Sequence, residues 1–280
     1  MHSTLQCGRF QLALKRPLVM GIVNVTPDSF SDGNAHFKTD QAIAHGLKLV
    51  QEGADILDIG GESTRPGAQA VSVPDELHRV LPVLEGLRDC GVPLSVDTCK
   101  PEVMRAAIAS GAADMINDIA GFASDAAVQA VRDAQSALCL MHMQGQPRTM
   151  QHDPVYADVV REVHDYLQAG ARRLLAAGVD ANRIVLDPGF GFGKTVAHNY
   201  ALLNQLPQVM GQQYPSLIGV SRKSMIGAIT GRPAPERLGG SIAAALAAAA
   251  RGAHILRVHD VADTVGALQV WAAIEQGARA

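Results

Sequence analysis

Polar side chains recur along this chain wherever a short apolar run ends. Two carboxylic acids, Asp97 and Asp187, and one amide, Asn117, lie at or near the ends of three such runs. Carboxylate oxygens accept hydrogen bonds, and an amide group both accepts and donates them. Together these residues suit a planar heterocycle that carries an amino group and ring N–H groups.

A second set of residues at the ends of these runs is cationic or donates hydrogen bonds. It comprises Arg65, Lys223, Arg257 and His259. The planar fork of a guanidinium group matches phosphate oxygens, so the two sets together predict a heterocycle that carries phosphate or diphosphate. The alternative is structural: Asp187 and Arg257 could form a buried ion pair with each other and catalyse nothing.

The glycine-rich segment 187–195 does not fit the nucleotide-binding motifs that it resembles. Pro188 stands where a P-loop needs glycine, and Lys194 stands where the dinucleotide-binding pattern needs its last glycine. We therefore predict that the glycines form backbone turns beside a ligand. Cys99 follows Asp97 closely, but no base is placed to activate it, which favours a buried structural thiol. The histidines show no zinc-binding spacing.

Eight apolar runs that alternate with helix-like stretches would position these residues. The predicted strands are Leu18–Val25, Ile56–Gly60, Leu94–Asp97, Met115–Ile119, Leu138–Met143, Ile184–Asp187, Leu217–Val220 and Ile255–Val258. The predicted helices include Thr39–Glu52, Asp75–Asp89, Pro101–Ser110, Tyr156–Ala177 and Arg237–Arg251.

This alternation predicts an α/β fold in which residues 1–280 form one domain, a single (β/α)₈ TIM barrel. The segment before Leu18 is expected to form a short N-terminal hairpin or an extended segment over the barrel bottom. The carboxyl ends of barrel strands converge on one face, so the polar residues would line one pocket. An open doubly wound sheet is the alternative, because periodicity alone does not establish closure.

Composition narrows the classes of partner. The chain is 48% hydrophobic and only 4% aromatic, and its net charge is −3 with a pI near 6.3. This balance gives no overall attraction to nucleic acid or to an anionic membrane. The first 17 residues do not read as a signal peptide, and no apolar run is long enough to span a bilayer. The four cysteines lack metal-type pairing, so we expect reduced thiols in a cytoplasmic protein.

The strand-end motifs resemble those of dihydropteroate synthases over nearly the whole chain. The matching stretches are Met20–Gly33, Asp58–Gly67, Ser95–Thr98, Ile116–Asp118, Met141–Gly145, Asp187–Lys194, Ser221–Ser224 and Arg257–Asp260. One such stretch would be weak, but eight in order are highly specific. The resemblance implies a transferase of folate biosynthesis that condenses 4-aminobenzoate with (7,8-dihydropterin-6-yl)methyl diphosphate to give 7,8-dihydropteroate and diphosphate.

The resemblance also implies a role for each matching residue. The pterin ring would be held by Asp97, Asn117, Asp187 and Lys223, with Met141 packed against it. The diphosphate would be contacted by Arg65, Arg257 and His259, and its accompanying Mg²⁺ cofactor by Asn24. The aminobenzoate site would be formed by Phe30, Thr64, Pro66, Phe192 and Ser221.

The reaction implied by the resemblance is dissociative: diphosphate leaves first, and the arylamine attacks the resulting pterin cation. The catalytic residues would be Asp97, Asp187, Lys223 and Arg257, which stabilise the charges that develop. Members of the family are typically dimers and are sulfonamide targets. We therefore expect a homodimer, and the intact Phe30 and Pro66 predict a sulfonamide-sensitive enzyme.

Two alternative functions remain at this point. A methyltetrahydrofolate-binding methyltransferase domain would share the acidic and amide residues, but it would not need Arg65, Arg257 and His259. A non-catalytic pterin-binding protein would be marked by the loss of one of four residues: Asn24, Arg65, Lys223 or Arg257. Asn24 and Lys223 are both present, as are the arginines, so both alternatives are minor.

Overall fold

The chain opens with a two-stranded antiparallel hairpin outside the main sheet. The structure is a computed structural model that describes residues 4–26, 35–63, 70–146 and 149–277. Strand β1 (Thr4–Cys7) pairs with β2 (Phe10–Ala13). Their turn places Gly8 at φ +56°, and a Cβ atom there would lie 2.4 Å from Oδ1 of Asp114. Glycine is therefore required at this position, and the predicted N-terminal hairpin is confirmed.

The described residues also form an eight-stranded parallel sheet. Its strands are β3 (Leu18–Asn24), β4 (Ile56–Gly60), β5 (Leu94–Asp97), β6 (Met115–Asp118), β7 (Ala137–Met141), β8 (Ile184–Asp187), β9 (Leu217–Ile218) and β10 (Ile255–Val258). Hydrogen-bonded neighbours follow the order β8-β7-β6-β5-β4-β3-β10-β9. A parallel bridge between Leu186 and Ser216 joins the two ends of this order. The sheet therefore closes into a barrel, and the open-sheet alternative is wrong.

Most strand bounds agree with the prediction to within a residue or two, but β9 is shorter than the predicted Leu217–Val220. Beyond Ile218 the chain turns: the Lys223 amide donates to the Val220 carbonyl oxygen, and Arg222 has φ +57°. A left-handed backbone conformation does not continue a strand. The residues after β9 are thereby turned across the mouth of the barrel.

Helices connect the strands around the outside. They are α1 (Ala35–Gln51), α2 (Val73–Leu87), α3 (Pro101–Ala109), α4 (Asp125–Val131), α5 (Val159–Ala176), α6 (Val196–Asn204), α7 (Leu206–Met210), α8 (Ser224–Thr230), α9 (Leu238–Ala249) and α10 (Val261–Gln276). Helix α5 begins three residues later than predicted, because the Asp158 side chain caps it by accepting from the Val160 and Arg161 amides. Within the described part of the chain, no helix is long and apolar enough to cross a membrane.

Two hydrophobic clusters divide the core. The larger one lies between the strands and the surrounding helices. The smaller one fills the lower barrel interior, where strand residues such as Met20, Ile56 and Val185 pack with Leu5 and Cys7 of the hairpin. Leu5 and Cys7 are fully buried. The hairpin therefore closes the bottom of the barrel with apolar side chains, and the polar interior residues lie toward the opposite end.

Candidate active site

The barrel interior changes from apolar to charged toward the carboxyl ends of the strands. Six residues, which we call the barrel-top cluster, meet there: Asp58, Asp97, Asn117, Asp187, Lys223 and Arg257. Five lie on five different strands, and Lys223 lies in the turn that follows β9. Inward-facing side chains of neighbouring strands form layers in such barrels, which brings residues distant in sequence into contact.

Arg257 joins two carboxylates of this cluster. Its Nε atom donates to Oδ2 of Asp58 at 2.5 Å, and its Nη2 atom donates to Oδ2 of Asp97 at 2.8 Å. The pairing of Asp187 with Arg257 that the sequence left open is therefore not the one formed: Asp187 accepts from the Gly189 amide at 2.7 Å. The carboxylates around Arg257 raise the pKa of its guanidinium group against the effect of burial, so it stays charged.

Asp97 is held near the balance between its two protonation states. Burial raises the pKa of its carboxyl group to about 7, the Arg257 charge opposes this rise, and the carboxylates of Asp58, Glu76 and Asp118 add to it. Low-dielectric surroundings disfavour a charge in this way. Such a carboxyl group can respond to a ligand by accepting or donating a proton near neutral pH.

Asp58 also fixes the orientation of Asn117. The Nδ2 atom of Asn117 donates to Oδ2 of Asp58 at 3.2 Å, so the amide oxygen turns the other way. Within the described residues, Oδ1 of Asn117, Oδ1 of Asp58 and Oγ of Ser95 are buried polar atoms without a hydrogen-bond partner. Buried polar atoms are normally satisfied. A ligand with several N–H donors would suit the acceptors in this group.

Asp187 and Lys223 form the other side of the cluster. Burial raises the pKa of Asp187, and the nearby Lys223 charge opposes that rise. Burial lowers the pKa of Lys223 to about 8, and Asp187 opposes this change. The ammonium group of Lys223 donates to the Phe190 carbonyl oxygen and lies 4.7 Å from the centre of the Phe192 ring.

The glycine-rich segment after β8 is a tight turn, as predicted. Gly189, Gly191 and Gly193 have φ values of +67°, +79° and +61°. A Cβ atom on Gly189 would lie 1.9 Å from the His142 carbonyl oxygen. The glycines therefore allow the loop to pass close to the end of β7, and they bring Phe190 and Phe192 toward Lys223.

The other predicted site residues lie at the same end of the barrel where the structure describes them. Ser221 and His259 contact each other, with 3.0 Å between Oγ and Nδ1. Met141, buried, ends β7 opposite Asp187 in the strand register, and Asn24 ends β3 opposite Gly60. Four predicted residues lie outside the described residues: Phe30, Thr64, Arg65 and Pro66.

Three buried polar residues in or beside the cluster received no specific role from the sequence, although His142 was expected at a strand end that lines the pocket. Asp58 is fully buried within the apolar strand β4, and a carboxylate in such a run was the available signal. Lys194 and His142 are buried together beside the glycine-rich loop, with 2.9 Å between Nζ and Nδ1. In the sequence, Lys194 ends one of the stretches that resemble the family and breaks the nucleotide-binding pattern, and neither observation gives it a role.

Cys99 is not an activated thiol. Burial raises its pKa to about 11, with a smaller contribution from the Asp118 carboxylate. The reactive form of a cysteine is the thiolate, so the structural interpretation of this residue is favoured. Among the described residues, no group of three or more His, Cys, Asp or Glu side chains is arranged to hold a metal ion.

Comparisons with known proteins agree with this architecture. The pterin binding enzyme family matches residues 20–259. A dihydropteroate synthase of Neisseria meningitidis serogroup B is 54% identical over 275 residues, which cover 96% of each chain. The crystal structure of Burkholderia cenocepacia dihydropteroate synthase complexed with 7,8-dihydropteroate is 55% identical, with a TM-score of 0.90, and the match covers 99% of this chain and 98% of that one.

Two further solved structures are similar. The Xanthomonas albilineans dihydropteroate synthase with 4-aminobenzoic acid is 53% identical with a TM-score of 0.92, covering 98% of this chain and 99% of that chain. The Yersinia pestis dihydropteroate synthase in a sulfonamide drug complex is 47% identical with a TM-score of 0.92, covering 98% and 100%.

The barrel, its polar upper interior and the family match define a pterin-binding enzyme, and the chain belongs to that family. Identities of 43–55% over most of the chain place it, within the family, among the dihydropteroate synthases. These enzymes are transferases of folate biosynthesis. The methyltransferase and non-catalytic alternatives are therefore wrong.

Proposed function

We propose that the barrel-top cluster binds the pterin ring of (7,8-dihydropterin-6-yl)methyl diphosphate while this chain condenses it with 4-aminobenzoate. The main support is the arrangement of buried acceptors around Asp97, Asn117 and Asp187, opposite the Lys223 ammonium group. The similar structures bound to 7,8-dihydropteroate and to 4-aminobenzoic acid support the same pair of substrates.

Pterin recognition follows from the donors and acceptors of the two molecules. A pterin ring presents an amino group and ring N–H groups along one edge and a carbonyl oxygen beside them. Asp187 and Oδ1 of Asn117 would accept from the N–H groups, and Lys223 would donate to the carbonyl oxygen. Met141, at the end of β7, would pack against the ring face, and Asp97, two strands away at the end of β5, would also contact the ring.

The proposed reaction breaks one bond and forms one bond. The C–O bond between the pterin methylene group and the diphosphate breaks, and diphosphate leaves with the electron pair. The arylamine nitrogen then forms a C–N bond to the methylene carbon and loses a proton. Ionised Asp97 and Asp187 would stabilise the positive charge of the pterin cation. No covalent nucleophile is needed, which agrees with the raised pKa of the Cys99 thiol.

The diphosphate would lie on the outer side of the cluster. Arg65, Arg257 and His259 are proposed to contact it. Arg257 uses Nε and Nη2 for Asp58 and Asp97, so its contact with diphosphate would go through Nη1. The paired carboxylates would hold this arginine in a fixed orientation before the substrate arrives. The aminobenzoate site would include Phe192 and Ser221 together with Phe30, Thr64 and Pro66.

We propose Asn24 as the protein ligand of Mg²⁺. Asn24 is the last residue of β3, at the carboxyl face of the barrel where the diphosphate is proposed to lie. Mg²⁺ commonly keeps several waters and is held by one or two protein oxygens together with substrate phosphates. A single amide oxygen therefore fits. When bound, the ion would neutralise charge on the departing diphosphate.

Oligomeric state, location and domain organisation are part of the same proposal. We propose one domain over residues 1–280 and a cytoplasmic homodimer. The four cysteines, all free thiols in the structure, suit a reducing compartment. Exposed apolar side chains on α8 and α10, beside the alanine-rich α9, suit a face for a second copy of the chain.

The first experiment is turnover of purified protein. With both substrates, mass detection should show 7,8-dihydropteroate, and removal of Mg²⁺ by a chelator should suppress its formation. Mg²⁺-independent turnover would contradict the proposed metal role. Absence of product from folded protein that binds pterin would contradict the proposed reaction.

Sulfonamide sensitivity is tested in the same assay. A sulfonamide should compete with 4-aminobenzoate, because the two molecules share an aromatic amine and an acidic group. Turnover that stays unchanged at high sulfonamide would contradict the prediction based on Phe30 and Pro66. The related Yersinia pestis enzyme has been solved in a sulfonamide complex.

A further inference from the structure

Lys194 is a buried cation that the proposed chemistry does not use. Its side chain is almost inaccessible, with 3% exposure for the residue. Its ammonium group donates to the Gly189 carbonyl oxygen at 2.9 Å and to the Phe192 carbonyl oxygen at 3.0 Å, and it contacts Nδ1 of His142 at 2.9 Å. A longer contact of 3.4 Å joins it to the His142 carbonyl oxygen. An ammonium group has three N–H donors, so these acceptors occupy its full capacity.

These contacts hold the loop that seats Lys223. Phe190 accepts from the Lys223 ammonium group, and the Phe192 ring lies 4.7 Å from it. Both residues belong to segment 189–192, whose Gly189 and Phe192 carbonyl groups are bound by Lys194. Loss of Lys194 would therefore free the same short segment on which Lys223 rests.

His142 is suited to be a permanent acceptor for Lys194. Burial and then the Lys194 charge lower the pKa of His142 to about 3, so the imidazole is neutral. With Nδ1 accepting, the remaining ring proton is on Nε2. The rings of Tyr166 and Tyr156, both uncharged near neutral pH, lie beside it at centroid distances of 4.8 and 6.1 Å. Near neutral pH, the Lys194–His142 contact therefore does not depend on the charge of His142.

Lys194 also acts on Asp187 through its charge. Burial raises the pKa of the Asp187 carboxyl group, and three nearby cations, Lys223, Lys194 and Arg257, each act to lower it. Burial lowers the pKa of Lys194 to about 7, Asp187 opposes that change, and Lys223 adds to it. Lys194 and Asp187 thus favour each other's charged forms.

We propose that Lys194 is a positioning residue of the pterin site: its ammonium group holds segment 189–192 in the conformation that seats Lys223. This inference rests on the proposed assignment of Asp187 and Lys223 to the pterin ring. Lys194 itself does not touch the substrate in this arrangement.

A purely structural role is the alternative, and the chain offers a matched control for it. Arg183, 2% exposed, is another buried cation that donates to three carbonyl oxygens, those of Ser136, Arg132 and Val131, at 2.9–3.0 Å. It directly precedes β8, whereas Lys194 lies in the loop that follows β8. Arg183→Met therefore removes a comparable buried cation from the opposite end of the same strand.

The test compares Lys194→Met, Arg183→Met and Asp187→Asn. Tm, the affinity for unsubstituted pterin from its fluorescence, and kcat/KM for the pterin diphosphate across pH are measured for each. Both methionine variants should lower Tm. Lys194→Met should weaken pterin binding and lower kcat/KM by about 10- to 100-fold, the order expected from a small misplacement of binding groups. It should also move the acid limb of kcat/KM to higher pH, and Arg183→Met should do neither.

Two further variants separate charge from placement and guard against misfolding. Lys194→Arg keeps the charge, so it should keep the parent acid limb while lowering kcat/KM, because the larger group displaces the loop. Lys194→Gln replaces Lys194→Met if the latter does not fold. Folded Lys194 variants with parent pterin affinity and parent pH profile would overturn the inference, as would an equal effect of Arg183→Met. If Asp187→Asn left pterin binding unchanged, the site assignment itself would fail.

Discussion

Asp58 is the residue through which the barrel-top cluster is linked. One carboxylate oxygen accepts from both Arg257 and Asn117, and the residue is fully buried. Removing one partner of a buried ion pair leaves the other charge uncompensated. A change at Asp58 should therefore affect both Arg257 and Asn117, although Asp58 lies in the middle of a strand.

We expect Asp58→Asn to weaken pterin binding by about tenfold or more and to lower Tm, because Arg257 loses one partner and the Asn117 amide loses its fixed orientation. Pterin fluorescence titration and thermal unfolding measure the two effects. Asp133→Asn is the control, since Asp133 is exposed and pairs with Arg132 at the surface. Equal behaviour of the two variants would show that Asp58 has no special role.

Asp97 should give stability a recognisable pH dependence. Its carboxyl pKa rises from an ordinary value of 3.8 to about 7 in the folded protein, so between these values the folded state binds more protons than the unfolded state. The contribution of Asp97 to the free energy of unfolding is then fully present below pH 3.8 and is lost as pH rises toward 7. Asp118, with its pKa raised to about 6 by burial, contributes in the same direction.

The Asp97→Asn variant should therefore lose less stability than the parent between pH 5 and pH 8, a range chosen to span the raised pKa of about 7. Urea unfolding at several pH values gives this difference directly. Parallel stability curves for the two proteins would contradict the assignment of a raised pKa to Asp97. Turnover of the variant should fall at every pH, because the neutral amide cannot stabilise the pterin cation as a carboxylate can.

The loop after β8 shows how an element places site residues through its backbone. Gly189 and Gly231 have nearly equal φ values, +67° and +69°, but a Cβ atom would clash with the His142 carbonyl oxygen at Gly189 and would meet nothing within 4 Å at Gly231. Alanine in a left-handed conformation costs about 1–2 kcal/mol. We expect Gly231→Ala to cost this amount and Gly189→Ala to cost more.

Gly189→Ala should also lower turnover, because relief of the clash moves Phe190 and Phe192 away from Lys223. Chemical unfolding and steady-state kinetics of both variants test this comparison. Gly231→Ala should keep parent turnover per folded molecule, because Gly231 caps the C-terminus of α8 and a Cβ atom there meets no other atom within 4 Å. If the two variants lost stability equally, the close approach to His142 would have no energetic consequence.

The regular elements were largely predictable, and the contacts between them were not. Strands such as Ile184–Asp187 end where the sequence pattern changes from apolar to polar, so their ends and their polar residues could be named. Arg257 was predicted to face diphosphate, yet it also binds Asp58, 199 residues away in sequence. Such a pair forms only because the closed barrel brings the ends of distant strands together, and the pattern within one strand does not show which side chains then meet. The left-handed backbone at Arg222 likewise accompanies tertiary contacts: its side chain donates to Asp260, and its amide donates to Ser241.

On the scale of the whole molecule, two helices that both pack against α9 carry large exposed apolar side chains, and we propose that these side chains share one face. Ile229 on α8 and Val270 and Ile274 on α10 are 69%, 63% and 73% exposed. Helix α9 packs against both of these helices. Stable interfaces bury about 800 Å² on each partner and have an apolar centre, and this face suits the proposed homodimer.

We expect the double variant Val270→Asp/Ile274→Asp to be monomeric, because burying two carboxylates in an interface is strongly unfavourable. Light scattering coupled to size-exclusion chromatography gives the mass of parent and variant. Val155→Asp is the control: Val155 is 67% exposed but precedes α5, away from this face in sequence. A parent protein that is already monomeric, or a double variant that remains dimeric, would contradict the proposed interface.

The ion pair between Asp58 and Arg257 also constrains how the protein is made. Asp58 leaves the ribosome long before Arg257, which lies 199 residues later. Until β10 is synthesised, the Asp58 carboxylate has no cation from that strand and the ring of strands cannot close. A nascent chain that has not yet reached β10 would therefore hold both substrates poorly, and enzyme activity should not appear before that strand is made.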